Sequence, residues 1–384
     1  MAYIPPHMRH TKDPQRPSPV PEMIVPKFNR KLNLGSSKHN ADISGKIVYA
    51  DPAIHRWFIC GLDNDSSSPS VRFVEFSDDP VEHKKSTTIN LARDNDKLCG
   101  NTSRSPWESI AENVWPDVLS ACNIVKNEME EKPTMVARFG HHLFRESGIL
   151  SLENAKEGQV AESALSPLRR CFYTGVPPTY MGKIVNEVVP KIGVGFVENK
   201  DIYHVKLSDG TRQITCKCTV KEDQKLHLYK VELNSVRHMV ADMLCVHKNL
   251  DLRLALCSKS TLSALSDDEM NSIRILINSA IPDPEVKGGL RWPMGKSYSG
   301  DYTIVGVWHN EFKSYKSPSL KLKVRNVDRF IFKTGTGEAT IEINLKLRRL
   351  VSEIQDGEID TDSIYNGFND NLRLIWDHFL SWES

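Results

Sequence analysis

The sequence predicts an α+β fold: antiparallel sheets with packed helices, preceded by a disordered Pro-rich N-terminal tail. Three observations carry this prediction. Many short stretches alternate apolar and polar residues, the two-residue period of a half-buried strand. A few longer stretches repeat apolar residues at helical spacing and end in capping or breaking residues. The strands come in runs rather than alternating with helices, which argues against a βαβ architecture.

The tail comes first. Seven prolines fall in the first 26 residues, and few large apolar residues stand near them. Between positions 1 and 46, eight basic residues face three acidic ones. Such a segment cannot bury enough surface to offset its ordering entropy. Pro5 and Pro6 lack amide donors and bias their neighbours towards extended backbone, so this start suits a partner's groove better than a helix.

The body begins with strands. Ile43–Tyr49 and Arg56–Leu62 flank a turn at Ala50–Ala53, and Val71–Phe76 alternates. Ser105-Pro106 opens an amphipathic helix carrying Trp107, Ile110, Val114 and Val118, with a kink or break expected at Pro116. Thr134–Phe139 reads as a strand, Val160–Tyr173 as a helix interrupted at Pro167, and Pro178–Val189 as a helix. Strands follow at Val194–Val197, Ile202–Leu207, Gln213–Val220, Leu226–Leu233 and Leu250–Ser258. Ser266 and Glu269 form a capping box for the next helix. The second β-rich region covers Thr303–Lys313, Leu320–Val327, Arg329–Lys333 and Glu338–Leu347, and a helix at Asp362–Ser381 closes the chain. Three regions result: the basic tail over 1–40, a β-hairpin region plus helix over 41–132 packed on the rest, and a main α+β domain over 133–384.

Composition narrows the function classes. Of 384 residues, 39 % are apolar and 26 % charged, enough for a sizeable core. Fifty basic residues balance 49 acidic ones, which disfavours a wholesale polyanion binder but leaves room for a local basic patch. No apolar run reaches membrane-spanning length, and the N-terminus has no secretory h-region. The expected compartment is cytosol or nucleus, with the eight cysteines as reduced, mostly buried thiols.

No catalytic signature, cofactor motif or metal site is assigned. Cys216-x-Cys218 with Cys245-x-His247 is metal-like, but one intervening residue is atypical for zinc, and buried thiols explain the pair more simply. His141-His142 and Arg237-His238 lack a matching nucleophile or carboxylate at a meaningful spacing. Gly288–Lys296 misses the phosphate-loop spacing, and Pro293 removes an amide that such a loop needs. Lys313–Lys333 is more informative. Lys321, Lys323 and Arg325 sit two apart, so on a strand they share one face. With Trp308, Tyr315, Phe330 and Phe332 near, this is the pattern of charge and rings that single-stranded RNA needs. The plainer reading is a solvated outer face whose aromatics lie in the core.

Two resemblances add to this. Tyr3-Ile4-Pro5-Pro6-His7-Met8-Arg9 is similar to a segment near the N-terminus of some DEAD-box RNA helicases. In those proteins it is implicated in contacting a cap-binding translation factor. Met8 stands where that contact pattern has Leu, and no helicase motif follows. The whole chain resembles an uncharacterised plant family that starts Met-Ala-Tyr-x-Pro-Pro-His. Phe172–Tyr180, Tyr203–Asp209, Gly288–Pro293, Val305–His309 and Leu372–Phe379 carry the likeness. It brings no activity with it.

The expectation is therefore a non-enzymatic RNA- or translation-associated interaction protein. Tyr3–Arg9 would recruit an RNA or translation-factor partner, and Lys321, Lys323 and Arg325 would face nucleic acid, with no cofactor and no membrane. The alternatives are an enzyme acting on RNA or a nucleotide through a His, acidic or metal site, and a structural protein–protein scaffold.

Overall fold

A computed structural model describes residues 48–61, 70–74, 86–92, 105–126, 133–144, 159–161, 165, 170–210, 213–222, 224–233, 235–258, 265–293, 298–356 and 360–381. The tail, with Tyr3–Arg9, and the expected boundary at Lys132 lie outside these residues.

The main strands are β1 (Val48–Cys60), β2 (Ser70–Val74), β3 (Ser86–Ala92), β4 (Thr134–Phe144), β5 (Gln159–Ala161), β6 (Arg170–Tyr173) and β7 (Gly195–Ser208). They continue as β8 (Gln213–Val220), β9 (Leu226–Leu233), β10 (Val236–Cys245), β11 (Asp251–Ser258), β12 (Tyr302–Lys316), β13 (Leu320–Ile331) and β14 (Thr336–Leu347). The helices are α1 (Pro106–Lys126), α2 (Pro178–Lys183, extended to Lys191 through a π turn), α3 (Asp267–Asn278), α4 (Leu350–Asp356) and α5 (Thr361–His378).

The fold is α+β and dominated by one large sheet. Its order is β1-β10-β11-β4-β14-β13-β12-β7-β8-β9, with β6 added on β4. Pairing is antiparallel except between β1 and β10. β2, β3 and β5 form a separate small sheet.

Two apolar cores cover the outer face of this sheet. In the first, Met135, Ala137 and Phe139 of β4 and Leu320, Leu322 and Val324 of β13 pack with α1, α2 and α5. In the second, Val205, Ile214, Cys216 and Val307 pack under Ile273, Leu276 and Ile277 of α3. Each of these strands therefore spends its apolar alternate positions outward, towards helices. Its other positions are left facing inward, and they are largely polar.

Several local expectations are corrected. β1 is one strand rather than two around a turn; a register shift between Tyr49 and Ile54 brackets Pro52, which has no amide to give to the ladder. Helix α1 runs through Pro116, because that residue and Glu112, whose carbonyl loses its donor, both lie on the solvent side. Within the expected Val160–Tyr173 helix, the described residues include strand segments at β5 and β6. β6 crosses β4 so closely that a Cβ on Gly140 would lie 1.9 Å from the Tyr173 carbonyl oxygen, so glycine is required there. β10 was not anticipated. It is buried along most of its length, with no alternation to betray it.

Candidate functional site

The inward residues gather around one cavity of about 360 Å³. Its walls include Arg237 of β10 and Glu232 of β9, strands near opposite ends of the sheet order, so the sheet curls round to enclose it. Eight cationic side chains line it, four arginines (138, 237, 325, 329) and four lysines (206, 217, 323, 346), against three carboxylates, Glu232, Glu338 and Glu342. The excess of cations is held in a space where field lines are poorly screened.

Strand register builds this lining in rows. One row crosses the sheet through Arg138, Asn344, Lys323 and Ser314, each directly opposite the next. A second passes through Glu342, Arg325 and Phe312, and a third through Glu338, Arg329, Trp308, His204 and Lys217. β6 adds Phe172 and Tyr173 at the Gly140 crossing.

The carboxylates are already engaged. Glu342, 2 % exposed, pairs with both Arg325 and Arg329 and accepts from the Thr174 hydroxyl at 2.9 Å. Glu232 pairs with Lys217 at 2.7 Å and Lys230 at 2.9 Å. Tyr173 donates its hydroxyl to Glu338 at 2.6 Å, and burial beside that carboxylate raises the phenol's pKa.

The cations are less well satisfied. The Nε–H of Arg138, the Nε–H of Arg325 and the indole N–H of Trp308 are buried and donate to no protein acceptor. Burial, with neighbouring arginines, pushes Arg138 down to about 10, and burial alone does the same for Arg325. Lys206 lies 3.7 Å from the Trp308 ring centre, and Lys323 lies 4.1 Å from that of Phe312. Buried donors without acceptors cost free energy, so this cavity is chemically matched to an acceptor-rich anion.

The sequence-predicted stripe divides here. Lys323 and Arg325 line the cavity, whereas Lys321 is absent from the lining and sits 3.8 Å from Glu198. Of the aromatics expected beside the stripe, Trp308 lines the cavity, while Tyr315 and Phe332 pack with the apolar cores and Phe330 is buried against Phe332. Phe312 and Phe172 are the rings that sequence reasoning missed, together with the cations Lys206, Lys217 and Lys346. Those cations come from three different strands, β7, β8 and β14, and no local pattern brings them together.

The histidine and cysteine candidates do not join this site. His141, His142, His238 and His247 lie outside the cavity lining. His142 is buried against Phe172, and burial holds its imidazole down at about 4. His238 hydrogen-bonds Ser258 at 2.7 Å. Cys216 and Cys218 belong to the second core and Cys245 to the first, where it meets Cys60 at 3.6 Å. Among the described residues, a metal-like cluster does occur at Asp201, His309 and Glu311. None of these three lines the cavity, and Asp201 already holds the His309 ring at 2.6 Å. No described helix is long and apolar enough to cross a membrane.

Residues 41–379 match the family described as a domain of unknown function, DUF7903. Comparison with curated proteins gives no match. Among solved structures, the chain is similar to the Pct1 RNA triphosphatase of S. pombe, at 12 % identity and a TM-score of 0.43, over 74 % of this chain and 94 % of that one. It is also similar to the PH1012 protein of Pyrococcus horikoshii, at 8 % identity and a TM-score of 0.21, over 53 % of this chain and 86 % of that one.

Proposed function

The chain belongs to the DUF7903 family, a domain of unknown function, and we propose that it is an RNA-associated binding protein whose curled sheet holds phosphate groups of RNA or a nucleotide. The observation that supports this is the cavity itself: an excess of cationic side chains, with buried N–H donors of Arg138, Arg325 and Trp308 that meet no protein acceptor. Phosphate offers several acceptor oxygens and full negative charge at neutral pH, and it suits arginine forks in particular. The cavity rings Trp308, Phe312 and Phe172 leave room in the same reading for a base or sugar beside the phosphates.

Binding rather than turnover is favoured because each cavity carboxylate is already tied to its own partner. A carboxylate acting as general base has to be free to reach its proton. In this reading Tyr3–Arg9 recruits an RNA or translation-factor partner, while the body holds the anion.

The test is calorimetric titration of the full chain with inorganic tripolyphosphate and with a 5′-phosphorylated oligoribonucleotide. Both should bind, more weakly as salt rises, and Arg138→Gln together with Lys206→Gln should abolish the binding. Absence of binding by either ligand, or binding that the double variant leaves intact, would overturn the proposal.

A further inference from the structure

Lys323 stands apart from several of the cations around it. Residues directly opposite it, Asn344 on β14 and Ser314 on β12, are uncharged. Three neighbouring cations have a carboxylate: Arg325 has Glu342, Lys217 has Glu232, and Lys321 has Glu198. Lys323 makes no ion pair with any described residue, and its amine rests over the Phe312 ring.

We propose that Lys323 is the proton-coupled anchor of the cavity, neutral without an anion and protonated when one is bound. This rests on the anion-binding reading above and deepens it.

The groups that face the amine explain the coupling. From its own strand these are Lys321 and Arg325; from β14, Lys346; from β8, Lys217. Burial acts first and these four cations add to it, so the amine is held down at about 7. The one carboxylate of note is Glu198 on β7, which interacts electrostatically with Lys323 but is committed to Lys200 at 2.8 Å and lies 3.8 Å from Lys321. A cationic cluster with one amine in no ion pair is relieved in two ways: the amine loses its proton, or an anion enters. The two are therefore linked. Anion entry supplies the missing counter-charge and raises the affinity of Lys323 for a proton, and by reciprocity protonation tightens anion binding.

Sodium sulfate is the probe, because it carries no ionisable proton in the neutral range and any proton taken up must go to the protein. The full chain is titrated calorimetrically near pH 8 in two buffers of different ionisation enthalpy. The difference in heat should correspond to about one proton taken up per sulfate, and it should shrink well below that in the slightly acidic range where Lys323 is already charged. Lys323→Arg, which keeps a fixed charge, should bind sulfate with that uptake lost. Lys323→Gln should bind more weakly and also without it. Sulfate binding without proton uptake, or uptake unchanged in Lys323→Arg, would overturn this inference and leave the anion-binding reading standing. If sulfate, tripolyphosphate and RNA all fail to bind, the anion-binding reading falls, and this inference with it.

Discussion

Arg325 and Glu342 lie directly opposite each other on β13 and β14, and their side chains form an ion pair inside the cavity. Arg329, one inward position along β13 beyond Val327, reaches the same carboxylate. The sheet thus sets two arginines against one buried glutamate, which leaves net positive charge at this point of the lining. That imbalance is what gives the cavity its character.

Glu342→Gln should be costly without ligand. Removing one partner of a buried ion pair typically costs about 3–5 kcal/mol, because the remaining charges are left uncompensated. Sulfate should restore more of the lost stability in this variant than it adds to the parent. Thermal unfolding with and without sulfate measures both quantities. A small loss unaffected by sulfate would show that Glu342 is not the internal counter-charge.

Lys206 contributes charge at the Trp308 side of the cavity. Lys206→Gln should weaken RNA binding irrespective of sequence and reduce the slope of log affinity against log salt by about 1. Titrations over a range of salt concentrations check this. An unchanged slope would place the RNA elsewhere on the protein.

With Glu232, Glu338 and Glu342 each held by lysine, arginine or tyrosine, the lining presents no idle carboxylate to bridge a divalent ion to the ligand. Tripolyphosphate affinity should be the same with and without a chelator. A requirement for magnesium would show that one of these carboxylates leaves its partner to hold the ion.

His142 sets a pH limit on the fold. Burial, its largest cause, lowers the imidazole from 6.5 to about 4, and nearby Arg253, Arg170 and His141 act in the same direction against Asp242. The unfolded chain therefore takes a proton at higher pH than the folded one. Stability is fully present above about 6.5 and declines as pH falls towards about 4, by a total of about 3 kcal/mol. His142→Phe should flatten that part of the profile in denaturant titrations. A profile unaltered by the substitution would assign the acid sensitivity to other groups.

How much of this was legible in the chain depends on range. The α3 capping box was, because Ser266 and Glu269 are three residues apart and satisfy each other's backbone amides within one turn. Most strands of the second half were, because their alternation is local, though Val194–Val197 with Ile202–Leu207, and Leu320–Val327 with Arg329–Lys333, each merge into one strand, β7 and β13. β10 was not: Arg237 lines the cavity, and Asp242 satisfies itself by a cross-strand pair with Arg253, so buried polar and apolar positions follow one another without a period. β6 was read as helix because its strand character depends on pairing with β4 at Gly140, a contact that no local pattern records.

The site was legible in one strand only. Alternation put Lys321, Lys323 and Arg325 on one face, and they do share a side of β13, but which side is enclosed depends on the curl of the whole sheet. Helices packed outside reverse the usual expectation that a charged face looks to solvent. Arg138, Lys206 and Lys217 come from three other strands and meet Lys323 and Arg325 only once that curl is complete.

The most direct measurement is a crystal structure of the protein soaked with tungstate, a heavy tetrahedral analogue of phosphate, with anomalous data collected at the tungsten edge. A peak is expected inside the curled sheet, within hydrogen-bonding reach of Arg138, Lys323 or Arg325. Tungstate found only on the outer surface, with the cavity filled by water, would contradict it.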